Sequence, residues 1–108
     1  MFMSNNAVKI KEIRAGMENI NLVAKVVSIS EPKYVQTKYG KAKVANAVLE
    51  DETGRIVLNL WRWQVEIIKP GDTIRVEGAF ATFFKGRIEL NVGSGGKIIV
   101  LKKGSTMP

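Results

Sequence analysis

Turn signals divide the chain into short runs of β-branched and aliphatic residues, and this pattern constrains the fold more than any other feature. The runs cover residues 20–29, 42–49, 55–61, 72–84 and 88–92. The third run alternates strictly, so that Ile56, Leu58 and Leu60 share one face. Gly54 and Gly86 stand where tight hairpin turns are expected. Strands at this spacing, each with one apolar face, predict a small closed barrel.

The segments between these runs refine the architecture. Trp63 to Lys69 is the only segment with helical character, and its place between the third and fourth strands favours an OB fold over an SH3-like barrel or a sandwich. The sequence therefore predicts an all-β protein, a five-stranded OB-fold barrel with a short helix between strands 3 and 4. The polar stretch 33–41 is interpreted as a hairpin tip, and the glycine-rich stretch 93–96 as a flexible break before a last short strand at 98–101.

The predicted organisation is one OB-fold domain at residues 8–101, between a flexible lead-in at 1–7 and a flexible tail at 102–108. Val8, Ile10 and Ile13 are expected to cover one end of its core. No apolar run reaches the roughly 20 residues that a membrane span needs. The N-terminus also lacks the pattern of a signal peptide. We therefore expect a cytoplasmic protein with no membrane partner.

The chain contains no cysteine and no histidine. Disulfides, the usual zinc sites and catalysis by a nucleophile paired with histidine are therefore excluded. Asp51 and Glu52 fall in a predicted turn and are interpreted as structural residues. We expect no metal ion, no cofactor and no enzymatic activity.

The charge points to a polyanionic partner. Seventeen Lys and Arg residues oppose ten Asp and Glu residues, a net charge of +7. Nucleic acid is the commonest partner of so basic a domain. Basic side chains cluster on the first hairpin, around the third strand and on the last hairpin: Lys33, Lys38, Lys41, Lys43, Arg55, Arg62, Lys85 and Arg87. In an OB barrel these positions would border one groove and attract a phosphodiester backbone.

Trp61 is the strongest single candidate for a binding residue. Alternation places it on the outer face of the third strand with Arg55 and Asn59. An exposed indole beside a guanidinium is suited to base stacking, which contributes roughly 1–3 kcal/mol per base. The alternative is that Trp61 caps the barrel end or packs under the helix. Trp63 opens the helical segment and is expected to pack on the barrel.

A second candidate is the aromatic tip of the last hairpin, Phe80 to Arg87. Phe80 and Phe84 share one face and Phe83 takes the other. If Gly78 marks a β-bulge that switches faces, Phe80 and Phe84 are exposed and Phe83 belongs to the core. Without a bulge, Phe80 is buried and Phe83 is exposed. The residues alone leave both arrangements open.

Six short motifs stand in order along the chain: Gln36-Thr37-Lys38, Asp51-Glu52-Thr53-Gly54-Arg55, Leu58-Asn59-Leu60-Trp61, Ile68-Lys69-Pro70-Gly71-Asp72, Phe83-Phe84-Lys85-Gly86 and Leu90-Asn91-Val92-Gly93-Ser94. With them the chain resembles, from about Val8 to Leu101, the single-OB single-stranded DNA-binding proteins of crenarchaea, which are similar to the human SOSS-type binders and to the OB domains of replication protein A. The resemblance implies an archaeal protein that protects and organises single-stranded DNA in replication, recombination and repair, and that is associated with the nucleoid.

The resemblance also implies that bases stack on Trp61, Phe80 and Phe84. The crenarchaeal proteins usually have Trp where this chain has Phe80, which implies weaker stacking there. They also carry a glycine-rich tail with an acidic end that recruits partners, whereas this sequence stops at Pro108. Contact with replication or repair proteins is expected without such a tail. Two alternatives remain open: an OB protein that prefers RNA, and an OB domain that serves protein–protein contact.

Overall fold

The computed structural model describes residues 7–104. Most of the predicted lead-in and part of the predicted tail lie outside the described residues. Within residues 7–104 the elements, in chain order, are a 3₁₀ helix at Ile10–Glu12, β1 at Ile20–Ile29, β2 at Lys33–Thr37, β3 at Gly40–Asp51, β4 at Gly54–Trp61, a second 3₁₀ helix at Arg62–Glu66, β5 at Thr73–Phe84 and β6 at Arg87–Lys102. None of the helices in this part of the chain has the length and apolar character to cross a membrane.

Five strands close a barrel in the order β1-β5-β6-β4-β3, and β3 pairs again with β1. The β4–β6 pair is parallel and the other neighbours are antiparallel. β2 pairs with β3 and lengthens that hairpin. The predicted all-β OB fold is confirmed. The sixth strand is the segment 33–37, which the sequence assigned to a hairpin tip and which the structure places in the sheet.

The core follows from the alternation of apolar residues along each strand. The inward side chains of β1 and β4 are buried, from Leu22 and Val26 on β1 to Leu58 and Leu60 on β4. Complete burial of an aliphatic side chain of this size contributes about 1.5–3 kcal/mol relative to exposure. Ile10 and Ile13 cover one end of the barrel, as the sequence predicts.

Asp51 fixes that end of the barrel. Its carboxylate accepts hydrogen bonds from the Ile10 N–H at 2.9 Å and from the Thr53 N–H and hydroxyl at 2.7 and 2.6 Å. Burial raises the pKa of Asp51, but these hydrogen bonds together lower it by more than burial raises it. The pKa of Asp51 therefore lies below the ordinary value. The interpretation of Asp51 as a structural turn residue is therefore confirmed.

Gly78 forms the β-bulge on which the placement of the phenylalanines depends. The register between β5 and β6 shifts between Glu77 and Ala79, and Gly78 has a φ of +68°. Val76 faces the core before the bulge, whereas Ala79 and Ala81 face it afterwards. Phe80 is therefore turned to the outer face.

The interpretation of residues 93–96 as a flexible break is wrong, because β6 runs without interruption from Arg87 to Lys102. The glycines instead let β6 pass close to the bulge. A Cβ on Gly96 would lie 2.6 Å from the carbonyl oxygen of Glu77. At the end of β6, the Gly104 N–H donates to Asp72 at 2.8 Å, beyond the predicted domain limit at residue 101. The domain limits themselves stay a prediction.

Candidate nucleic-acid interface

One row of side chains crosses four strands on the outer face of the barrel. Asn46 on β3 lies opposite Asn59 on β4, Asn59 lies level with Asn91 on β6, and Asn91 lies opposite Phe80 on β5. The Asn59 carboxamide accepts a hydrogen bond from Asn46 at 2.7 Å and donates one to Asn91 at 3.3 Å. The row therefore forms a continuous polar floor that ends at an aromatic ring.

Trp61 is the last residue of β4 and stands beside this row on the outer face, where alternation placed it. Its indole N–H donates to Asn91 Oδ1 at 3.4 Å. Its backbone N–H donates to the Gln64 side chain at 2.9 Å, and Gln64 in turn donates to the Val92 carbonyl at 3.0 Å. The ring is half-buried and is anchored by the hydrogen bond to Asn91, while Gln64 holds the backbone of the same residue.

Phe80 and Phe84 are 39% and 53% exposed on the same face of β5. The expectation that Phe83 belongs to the core is wrong, since Phe83 is 65% exposed. Its side chain has the parity of Ala79 and Ala81, which are buried. At the hairpin tip, however, the strand has passed the end of the barrel, and the inward position there is not covered by the core.

These side chains line one depression, which we call the main cleft, with a volume of about 870 Å³. Its aromatic walls are Trp61, Phe80, Phe83 and Phe84, its floor is the asparagine row, and its basic residues are Lys33, Lys85 and Arg87. The structure thus brings together three aromatic and three basic residues of the predicted site.

The other basic residues of the predicted site lie elsewhere. Lys43 pairs with Glu66 at 2.6 Å, and Arg55 pairs with Glu50 at 2.9 Å. Arg55 lines a further depression with Ile10 and Ile13 at the barrel end, which shares Phe83 and Arg87 with the main cleft. Lys38 lies over the ring of Tyr39, 5.2 Å from its centroid, and Arg62 lines a cleft that adjoins the main one.

Glu89 is a buried carboxylate in the floor of the main cleft. It accepts hydrogen bonds from Asn59 at 2.9 Å and from the Arg87 guanidinium at 2.8 Å. Burial raises the pKa of Glu89, but the hydrogen bonds from Asn59 and Arg87 lower it more, so the net pKa lies below the ordinary value. Glu89 is therefore ionised near neutral pH. Its carboxylate holds the Arg87 guanidinium in place and offsets the positive charge of Arg87. Lys33 and Lys85 have no recorded ion pair within residues 7–104 and provide the uncompensated charge of this cleft.

The sequence reasoning did not select two exposed aromatic residues, Tyr39 and Trp63, that line the cleft adjoining the main one. The expectation that Trp63 packs on the barrel is wrong: Trp63 is 66% exposed, because the second 3₁₀ helix is short and buries only Gln64. Tyr39 is 82% exposed at the tip of the β2–β3 hairpin. The available signal was an aromatic residue directly after a lysine or arginine, since Tyr39 follows Lys38 and Trp63 follows Arg62. This signal is not specific, because Tyr34 follows Lys33 and lines neither the main cleft nor the adjoining one. Among the described residues no group of three or more acidic side chains is placed to hold a metal ion.

The sequence matches a known family over most of its length. The family model described as single-stranded DNA binding protein Ssb-like, OB fold, matches residues 13–100. The chain belongs to this family. The resemblance inferred from the sequence motifs is thereby confirmed.

The Ssb-like chain is 39% identical over 90 residues to the single-stranded DNA binding protein Ssb of Saccharolobus solfataricus. The matched region covers 83% of this chain and 61% of that protein. It is 31% identical over 94 residues to the replication factor A of Methanothermobacter thermautotrophicus, with 84% and 12% covered. The Ssb-like chain thus spans less than two thirds of the length of either relative. Its fold is similar to the OB domain of Ta0387 from Thermoplasma acidophilum, with a TM-score of 0.79, 21% identity, and 96% and 94% of the two chains covered.

Proposed function

We propose that this chain binds single-stranded DNA along the main cleft, with bases stacked on Trp61, Phe80 and Phe84. The observation that carries the proposal is the arrangement of these three rings on one outward face over a polar floor, with lysines at the margin. Such a surface offers the two components of single-strand binding, which are π-faces for bases and positive charge for the backbone. The protein acts by binding and performs no catalysis.

The aromatic residues provide most of the affinity for bases. Stacking contributes roughly 1–3 kcal/mol per base and discriminates weakly among bases, because each base has a π-face. The floor adds carboxamides of Asn59 and Asn91, which both donate and accept hydrogen bonds and so accommodate different base edges. We therefore expect little sequence preference.

The basic residues attract the backbone. Lys33 and Lys85 are available to phosphates without breaking a recorded ion pair among the described residues. Arg87 lines the main cleft while it is paired with Glu89. Arg62 lines the adjoining cleft, and Lys38 lies over the ring of Tyr39, which lines that cleft too. Lys43 and Arg55 would each have to leave a carboxylate to contact a phosphate, so we assign them smaller contributions.

In the cell we expect the protein to protect and organise exposed single strands during replication, recombination and repair, in the cytoplasm at the nucleoid. Double-stranded DNA should bind poorly because its bases are already stacked on one another. RNA is the nearest competitor, since the cleft shows no group dedicated to the 2′-hydroxyl that distinguishes RNA from DNA.

The test is fluorescence anisotropy of labelled oligo-dT, with duplex DNA and oligo-U as competitors, at several salt concentrations. We expect tight binding to oligo-dT, weak competition by duplex DNA, and a log–log salt slope of about −0.7 per phosphate neutralised. Stronger competition by oligo-U would assign the cleft to RNA. Salt-insensitive or absent binding would contradict the proposal and favour a protein–protein role.

A further inference from the structure

We propose that Tyr39 and Trp63 form an additional base-stacking subsite next to the main cleft. It lies in a depression of about 520 Å³, which we call the side cleft, between the tip of the β2–β3 hairpin and the second 3₁₀ helix. The ligand is a further nucleotide of the strand bound in the main cleft. The inference rests on the proposed function and extends it to a longer binding track.

The first observation is the exposure of both rings. Tyr39 is 82% and Trp63 is 66% exposed, and they come from different elements yet line the same cleft. Large aromatic side chains that remain exposed at one place mark a contact surface. Within residues 7–104 the indole N–H of Trp63 donates no hydrogen bond, so no internal polar contact accounts for its position.

The second observation is that the two clefts are continuous. Trp61, Phe80 and Asn91 line both of them. The strand register places Phe84 level with Arg87, at the opposite end of the main cleft from Trp61. A strand that stacks on Phe84, Phe80 and Trp61 in turn therefore leaves the main cleft at the side cleft.

The third observation is the backbone that orients Trp63. Arg62 has a φ of +57°, in the left-handed region that residues other than glycine rarely adopt. This residue turns the chain from β4 into the second 3₁₀ helix, and Trp61 and Trp63 on either side of it face the same cleft. Strained backbone of this kind tends to occur at functional positions.

Charge and space complete the subsite. Arg62 lines the side cleft and has no recorded ion pair in the described part of the chain, and Lys38 lies 5.2 Å from the centre of the Tyr39 ring. Gly93, Ser94 and Gly96 also line the side cleft and have little or no side chain. The side cleft thus combines aromatic faces, cations and room for a base, as the main cleft does.

The experiment measures the Kd of oligo-dT as a function of length, between about 4 and 16 nucleotides. The unaltered protein is compared with a Tyr39→Ala/Trp63→Ala double variant. For the longest oligomers we expect affinity to fall roughly 5- to 100-fold, as expected for the loss of one stacked base. The shortest oligomers, held by the main cleft alone, should bind almost equally well to both proteins.

Tyr34→Ala is the matched control. Tyr34 is an exposed tyrosine on β2 of the same hairpin, but it lines neither cleft. We expect its affinity to equal that of the unaltered protein at every length. A similar loss in Tyr34→Ala and in the double variant would contradict a specific subsite. Thermal melting of each variant verifies the fold.

A spectroscopic measurement reports on the subsite directly. The chain has two tryptophans, so Trp61→Phe leaves Trp63 as the only tryptophan, whose emission is excited selectively at wavelengths that tyrosine does not absorb. Long oligomers should quench its fluorescence, and the shortest should leave it unchanged. Two results together would overturn the subsite while main-cleft binding stands. They are unchanged Trp63 emission on binding of long oligomers, and a double variant whose Kd depends on oligomer length as that of the unaltered protein does. Failure of the unaltered protein to bind any oligo-dT would overturn the proposed function and the subsite with it.

Discussion

The indole nitrogen of Trp61 donates a hydrogen bond to Asn91 across 3.4 Å, and the same carboxamide oxygen accepts a hydrogen bond from Asn59 at 3.3 Å. Asn91 also lies directly opposite Phe80 in the β5–β6 pair. One asparagine therefore adjoins two of the three rings proposed to stack on bases. Its contact with Trp61 ties the orientation of the indole ring to the floor of the main cleft.

This contact predicts energetic coupling between Trp61 and Asn91 in single-strand binding. Trp61→Ala should weaken oligo-dT binding by about 1–3 kcal/mol while the fold is retained. Asn91→Ala should cost less binding free energy than Trp61→Ala, because the indole ring remains but loses the hydrogen bond that anchors it. In a double-mutant cycle we expect a coupling energy of about 0.5 kcal/mol or more. Strictly additive losses would mean that Asn91 does not position the ring.

Lys85 predicts a variant that is more stable but binds less strongly. Lys85 and Gly86 both have positive φ, 49° and 84°, which defines a type I′ turn in which Asn-Gly is preferred. Lys85→Asn should therefore raise the free energy of unfolding by about 0.5–1 kcal/mol. The same change removes a charge from the main cleft and should flatten the salt slope by up to about 0.7.

Lys97→Asn is the control for this prediction, since Lys97 is an exposed lysine on β6 that lines neither cleft. Urea unfolding measures the stability, and anisotropy at several salt concentrations measures the slope. An equal change of salt slope in Lys97→Asn and Lys85→Asn would show that the slope depends on the net charge of the protein and not on a contact between Lys85 and a phosphate in the main cleft.

The bulge at Gly78 predicts a specific cost for a side chain at that position. Gly78 has a φ of +68°, and an added Cβ would lie 3.3 Å from the Gly96 Cα. Gly78→Ala should lower the free energy of unfolding by at least about 1–2 kcal/mol. Gly95→Ala is the control, since a Cβ on Gly95 meets nothing within 4 Å. Equal stability of the two variants in urea unfolding would show that the bulge is not constrained by glycine.

The sequence predicted most of the barrel because alternation and turn glycines are local signals. It also placed Trp61 on the outer face and offered a bulge at Gly78 as one of two arrangements. Phe83 and Trp63 were misplaced because their exposure depends on where the barrel ends and how short the helix is. Alternation assigns a side chain to a face, but it does not reveal whether another element covers that face.

Pairing between distant segments was equally hidden from local patterns. The continuity of β6 past Gly93 arises from its contact with the bulged part of β5. Which basic residues remain free was also hidden, because Lys43 pairs with Glu66 at the end of the second 3₁₀ helix and Arg55 pairs with Glu50 across the β3–β4 hairpin. The motifs indicated the aromatic residues of the main cleft, but only the assembled structure separates the free charges of the predicted site from the paired ones.

Asp72 predicts a pH dependence of stability. Its buried carboxylate accepts hydrogen bonds from Gly104 and Lys69 at 2.8 and 3.0 Å. The hydrogen bond from Gly104 lowers the pKa of Asp72 and outweighs burial, which raises it, so the folded pKa lies below the unfolded value of about 3.9. The resulting stabilisation is complete above the unfolded pKa and is lost as the pH falls through the folded pKa.

Asp72→Asn should therefore lower the free energy of unfolding at pH 7 by about 1–3 kcal/mol. The difference from the unaltered protein should shrink as the pH falls below about 4, because the Asp72 carboxyl is protonated first in the unfolded state and then, at lower pH, in the folded state. Urea unfolding from pH 7 down to the acid limit of folding measures both. A difference that stays constant across this range would show that the charge of Asp72 does not contribute.

Stacking on Trp61 is the central claim, and its most direct test uses Trp63→Phe, in which Trp61 is the only tryptophan. The variant is titrated with oligo-dT at low and at high salt while tryptophan emission and anisotropy of the labelled oligomer are recorded together. We expect tryptophan emission to be quenched in proportion to the fraction of protein bound. The oligo-dT concentration needed for half-maximal quenching should rise with salt. Binding by anisotropy with unchanged emission would contradict stacking on Trp61, and absence of binding would contradict the proposed function.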